Sequence, residues 1–161
     1  MPLDQSFLGR TYPLTEPYEV SREKIREFAD AIGDPNPAYR DRAAAQALGY
    51  PDVIAPPTFA IVMSMRASHQ VVRDPALGLD YSKVVHGEQQ FHYQRPIRAG
   101  DVLRVRTTVE SVRAVAGNDL LTTRGDILTA DDELVVTALS TIVARGTART
   151  APDEAGQGGA R

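Results

Sequence analysis

The chain contains no cysteine. That absence excludes a disulfide framework, a thiol nucleophile and any cysteine-held metal. An excess of basic residues is also missing: 18 Lys and Arg face 21 Asp and Glu, for a formal charge of -3 and a pI near 5.6. Nucleic-acid binders usually carry a clustered basic face, so nucleic acid is not expected as a partner. No apolar run approaches the roughly 20 residues that a membrane helix needs. The start, MPLDQSFLGRTYPLTEPYEV, lacks a basic stretch followed by an apolar one, so no leader and no membrane partner are expected and the location is read as cytoplasmic. Histidine occurs three times, at His69, His86 and His92. These lie too far apart in sequence for a metal site, and neither a metal nor a cofactor is expected. No internal repeat is visible.

With 161 residues, 42% of them hydrophobic, the chain can build one core and is short for two domains. A helical pattern runs from about Ser21 to Ile32, with Ser21 as N-cap, Glu23 in the first turn and Ile25, Phe28, Ala29 and Ile32 on one face. Gly33 supplies the stop. A short second helix covers Arg42 to Leu48, capped by Asp41 and ended by Gly49. After Pro56 and Pro57, the stretch from Thr58 to Val72 is apolar nearly all round at its start, which predicts a buried helix.

From Val84 the period changes to alternation. Strands are predicted over Val84 to Gln94, Val102 to Val115, Leu120 to Leu128 and Leu134 to Arg145. The separators are Pro96 to Gly100, Gly117-Asn118 and Asp131-Asp132. Short links between long strands predict an antiparallel meander, and helices followed by strands give an α+β domain. Its sheet needs an apolar partner, and the helix from Thr58 fits. The expected architecture is a single hot-dog domain over residues 1–146, an antiparallel sheet wrapped around a long central helix. Residues 147–161, with Pro, Asp, Glu and three glycines, are expected to form a disordered tail. An exposed edge strand would invite a second copy or a homologue to pair.

Three segments carry more than fold. They are Gly33-Asp34-Pro35-Asn36-Pro37-Ala38-Tyr39, Ile54-Ala55-Pro56-Pro57-Thr58-Phe59, and the run from Phe91 through Pro96 to Gly100-Asp101-Val102-Leu103. Together with the order of elements they resemble the MaoC-like (R)-specific hydratase and dehydratase family, over roughly Phe7 to Arg145. The finer likeness, carried by Tyr18 to Phe28 and by Ala55 to Phe59, is to the N-terminal, fatty-acid-synthase-like type. That type includes the first subunit of the actinobacterial heterodimeric (3R)-hydroxyacyl-acyl-carrier-protein dehydratase.

The resemblance implies that Asp34 and Tyr39 stand where the family has its catalytic Asp and His. A phenol with an unperturbed pKa near 10 is a poor base at neutral pH, though it can donate a hydrogen bond. It also aligns Pro57 with a glycine whose N–H polarises the thioester carbonyl, and proline has no N–H. Thr58 or Phe59 would then be left to offer one from the helix start. Asn36, Pro57, Thr58 and Phe59 are accordingly candidate substrate contacts. His86, in a His-Gly pair similar to pairs in this branch, is read either as a strand-end residue or as a replacement base. His69 and His92 read as surface or core histidines. Asp34 on its own is a common turn residue, and Gly100-Asp101 reads as a turn. Arg95, Arg98 and Arg104 are candidate phosphate contacts, with solvation as the plainer account.

What the resemblance implies is a subunit of a (3R)-hydroxyacyl thioester dehydratase acting on an acyl-CoA or acyl-carrier-protein thioester. It would hold the acyl chain while a homologous hot-dog partner supplies the intact Asp and His. Two other readings stay open: a non-catalytic homodimeric acyl-thioester binding protein, and an autonomous homomeric hydratase with an altered site.

Overall fold

The computed structural model describes residues 2–148. The first helix, α1 (Arg22–Ala31), starts where Ser21 Oγ accepts from the Lys24 N–H, with Glu23 in its first turn. Ile25 and Ala29 are buried and Phe28 packs against them, so the spacing read from sequence is the inward face. Gly33 at φ +70° ends it, in the left-handed region that glycine enters without strain. The second helix, α2 (Arg42–Ala47), is capped by Asp41, whose Oδ1 accepts from the Ala43 N–H.

The central helix, α3 (Ile61–Val72), begins three residues later than the expected Thr58. Over 57–60 the chain makes tight three-residue turns instead: Phe59 N–H donates to Pro56 and Ile61 N–H to Thr58. The expectation of burial all round is also corrected. Met63, Ala67 and Val71 are buried, whereas Met65 and Arg66 are exposed.

Five strands follow one sheet in the order β1-β3-β4-β5-β2. They are β1 (Tyr18–Glu19), β2 (Val84–Tyr93), β3 (Val102–Val115), β4 (Asn118–Thr129) and β5 (Leu134–Ala144). The four long strands match the predicted ones to within two residues at each end, while β1 is too short to alternate visibly. The meander is a correction. Only β3, β4 and β5 form one, and β2 pairs with β5 at the far side. The link that was read as a turn between β2 and β3 is held elsewhere: Ala55 N–H donates to Ile97, Ala99 N–H donates to Val53, and Ile54 bridges Arg98. The β3–β4 turn falls one residue earlier than predicted, at Ala116 and Gly117, with φ of 48° and 78°. Two positive φ values suit a hairpin whose twist matches its strands.

The inner face of the sheet closes on α3 as a hot-dog. Met63 and Ala67 join Leu103, Val105, Ile127 and Val136 in one cluster, and Val71 joins Phe7, Leu77, Val109 and Leu121 in a second. Each large side chain so buried contributes about 1.5–3 kcal/mol. Asp119 Oδ2 accepts from the Leu3 N–H at 3.2 Å and from Thr147 Oγ1 at 2.7 Å. Thr147, the first residue of the expected tail, is thus buried in the fold; residues 149–161 of that tail lie outside the described residues.

Candidate active site

The turn after α1 is built by its own side chains. Asp34 Oδ1 accepts from the Asn36 N–H and Asn36 Oδ1 from the Ala38 N–H, both at 3.0 Å. Pro37–Tyr39 then forms one 3-10 turn, which buries Tyr39. Arg40 locks the loop, donating to the Asp34 carbonyl at 2.6 Å and pairing with Asp30 at 3.0 Å. Asp34 therefore has a turn-capping task whatever else it does. Burial first, and the Asp34 charge second, push the Tyr39 phenol above its ordinary value, against the opposing effect of the Asn36 side chain. Tyr39 stays a neutral phenol at physiological pH: a hydrogen-bond partner and no base.

Tyr39 forms part of a cleft of about 390 Å³ that also takes in Tyr50, Ile54, Pro57, Tyr93 and Arg95. Tyr93 Oη donates to the Pro57 carbonyl at 2.6 Å. Its own pKa is pushed up to about 12 by burial, with the Ala60 backbone working the other way. So Tyr39 and Pro57 share the cleft, while Asp34 and Asn36 stand beside Tyr39 in the turn and outside the cleft lining. Thr58 is exposed and lies outside the cleft lining. Phe59 is fully buried, with its ring edge-on to Phe28 at 5.3 Å, and its N–H is already given to Pro56. The expectation that Phe59 offers a free N–H is corrected by that bond.

Sequence reading missed Tyr50 and Tyr93. Tyr93 could have been found, because Phe91 and Tyr93 alternate with His92 and share the inward face of β2; nothing local marks Tyr50. Arg95 forks onto Asp101 at 2.9 and 3.1 Å and donates to Glu133 at 2.9 Å, so it is engaged within the fold rather than free for a phosphate. Asp101 also accepts from the Arg98 N–H at 3.0 Å, as a turn residue does. Arg104 is exposed on β3.

His86 is not part of this cleft. It lies seven residues before Tyr93 on the same strand, about 20 Å away at the rise of a β-strand. It shares a recess with His69, which sequence distance had made look remote. His92 is exposed. Among the described residues, no group of three His, Asp or Glu is placed to hold a metal, and no helix is long and apolar enough to cross a membrane.

The Tyr93 shift gives a pH prediction. Its folded pKa lies above the unfolded value near 10, so its contribution to stability is complete below pH 10 and is lost as pH rises through about 12. Urea unfolding at pH 9 and pH 11 should show this fall, and Tyr93→Phe should lessen it, with Tyr12, also pushed up to about 12, accounting for part of the remainder. An unchanged slope in the variant would count against the buried phenol.

The FAS1-like, dehydratase domain region model matches residues 6–138. A UPF0336 protein of Saccharopolyspora erythraea is 63% identical over 148 residues, 92% of this chain and 95% of that protein. Among solved structures, the HadBC (3R-hydroxyacyl-ACP dehydratase) complex of Mycobacterium tuberculosis superposes with a TM-score of 0.76 at 32% identity, covering 85% of this chain and 96% of that one. A MaoC-like dehydratase superposes with a TM-score of 0.81 at 35% identity, covering 88% of this chain and 43% of that longer one. A family model spanning most of the chain, on a hot-dog fold, leaves one assignment: the chain belongs to the FAS1-like dehydratase-domain family, with a MaoC-like fold.

Proposed function

We propose that this chain is one subunit of a cytoplasmic (3R)-hydroxyacyl thioester dehydratase. It holds the acyl chain of a coenzyme A or carrier-protein thioester, while a homologous hot-dog partner supplies the intact Asp and His. The observation that carries this is the cleft at the start of α3. It combines Tyr39, a phenol held neutral, with Pro57, which cannot donate, and the N–H of Phe59, buried behind it, is taken. Removing water from a 3-hydroxyacyl thioester needs a base for the α-proton and donors for the enolate-like oxygen. The cleft presents phenols for hydrogen bonding and lacks the base.

Room for an acyl chain exists nearby. An opening of about 440 Å³ between α3 and the segment 14–18 has Leu14, Pro17, Met63, Leu103 and Val105 beside the polar Glu16, Arg66 and Gln70, and its apolar side suits an apolar tail. The edge of β2, ten residues long and unpaired among the described residues, is where a partner strand would add. The dehydratase complex among the similar structures supports a paired design.

The test is hydration of crotonyl and longer enoyl thioesters by the purified chain, by a homologous hot-dog subunit that carries the intact Asp and His, and by both. Low turnover from the chain alone and restored turnover from the pair is the expected result. Robust turnover by the isolated chain would reject the proposal, and ligand binding with no activity in any combination would favour an acyl-thioester binding protein.

A further inference from the structure

Strand β2 carries an irregularity that decides where its histidine points. His86 pairs with Ile142 and Glu88 with Thr141, so Gly87 is an extra residue with no counterpart on β5. In a regular strand His86 would face away from Gln89, Phe91 and Tyr93. The bulge adds one residue and turns it back, so that Val84, His86, Gln89, Phe91 and Tyr93 all face α3. Glycine eases the bulged position. A Cβ there would lie 3.2 Å from Val143 Cγ2 and 3.3 Å from the Thr141 carbonyl.

The surface that His86 faces is unfinished. A recess of about 20 Å³, shared by Ser64, Ser68, Gln89 and Ser140, sits against the imidazole and has room for roughly one water. Ser64 Oγ is buried there with no partner among the described residues. Around it Met65 and Tyr81 are 44% and 60% exposed, beside a ten-residue strand edge that is unpaired among the described residues. An apolar rim around an unsatisfied polar recess at an open edge suits a second chain adding its own strand.

We centre that addition on the middle of the inward set. With Gly87 set aside as the bulge, Gln89 is the midpoint of Val84, His86, Gln89, Phe91 and Tyr93. An antiparallel partner of the same design therefore places its counterpart of Phe91 opposite His86. Its counterpart of Tyr93, at the mouth of its own cleft, is then the diagonal neighbour, about 7–8 Å away. The same position within this chain is about 20 Å off. Resting on the proposed dehydratase reading, we infer that His86 serves the thioester site of the homologous partner subunit, as a positioning residue donated across the strand edge.

Two measurements test this on the assembled pair. His86→Cys, in a chain with no cysteine of its own, should form a disulfide with a cysteine at the partner's counterpart of Phe91. Directly opposed strand positions fall within disulfide reach. His92→Cys, on the opposite face, should not. In the same pair, His86→Ala should lower kcat at least tenfold with KM nearly unchanged, and His86→Gln should recover part of the loss. Absence of the crosslink in a fully active pair would overturn the inference and leave the function standing. A crosslinked pair without dehydratase activity would overturn the function and leave the placement of His86 intact. An unchanged kcat, or a loss that merely follows failed assembly, would reduce His86 to a strand-end residue.

Discussion

Replacing Phe59 with alanine is expected to lower the free energy of unfolding by about 3–5 kcal/mol. The ring is fully buried, meets Phe28 edge-on, and fills the space between α1, the turn at 57–60 and the sheet. Truncation removes its apolar transfer energy and leaves a void that three separately anchored elements cannot close. Against a typical total of about 5–15 kcal/mol the loss is large, and the melting temperature should fall by roughly 10 °C. Phe59→Leu should cost far less, about 1 kcal/mol. Urea unfolding of both variants checks this, and a loss under about 1 kcal/mol for the alanine variant would show that the core refills the gap.

The second large effect is expected at Asp101, the buried acid between β2 and β3. Its carboxylate accepts two bonds from Arg95 and one from the Arg98 N–H. Asp101→Ala leaves a mostly buried guanidinium without its main partner, and breaking a buried pair from one side costs about 3–5 kcal/mol. Because Glu133 still accepts from Arg95 Nε, the lower end of that range applies. Removing both charges in Arg95→Leu with Asp101→Leu should be milder than Asp101→Ala, since no charge is then stranded. A double variant clearly worse than the single one would mean that the pair's hydrogen bonds outweigh the burden of burying it. Arg95 also lines the Tyr39 cleft, so ligand binding should weaken in Asp101→Ala even where the fold survives.

Local chemistry was the legible part of this chain. Ser21 and Asp41 cap their helices as their side chains dictate, and the strands begin and end close to where alternation does. What failed depends on partners distant in sequence. The order across the sheet was misread because residues 53–55, far upstream, take the hydrogen bonds of the link between β2 and β3. Phe59 looked like a site residue because the motif beside it does, yet the two prolines before it shape a turn that sends its ring into the core. Tyr50 reaches the cleft only through the packing of α2, which no spacing reveals. The facing of His86 hinges on one unpaired glycine, and a period-of-two reading assigns it to the wrong side.

The clamp at Asp119 has an engineering consequence. One carboxylate oxygen holds both the Leu3 N–H and the Thr147 hydroxyl, so the two ends of the described chain meet at a single atom. Circular permutation is tolerated where ends lie close together. A short linker from residue 148 to residue 2, with new termini opened at the β3–β4 hairpin, should preserve every strand pairing. The natural order of the segments is then one of several that this architecture accepts.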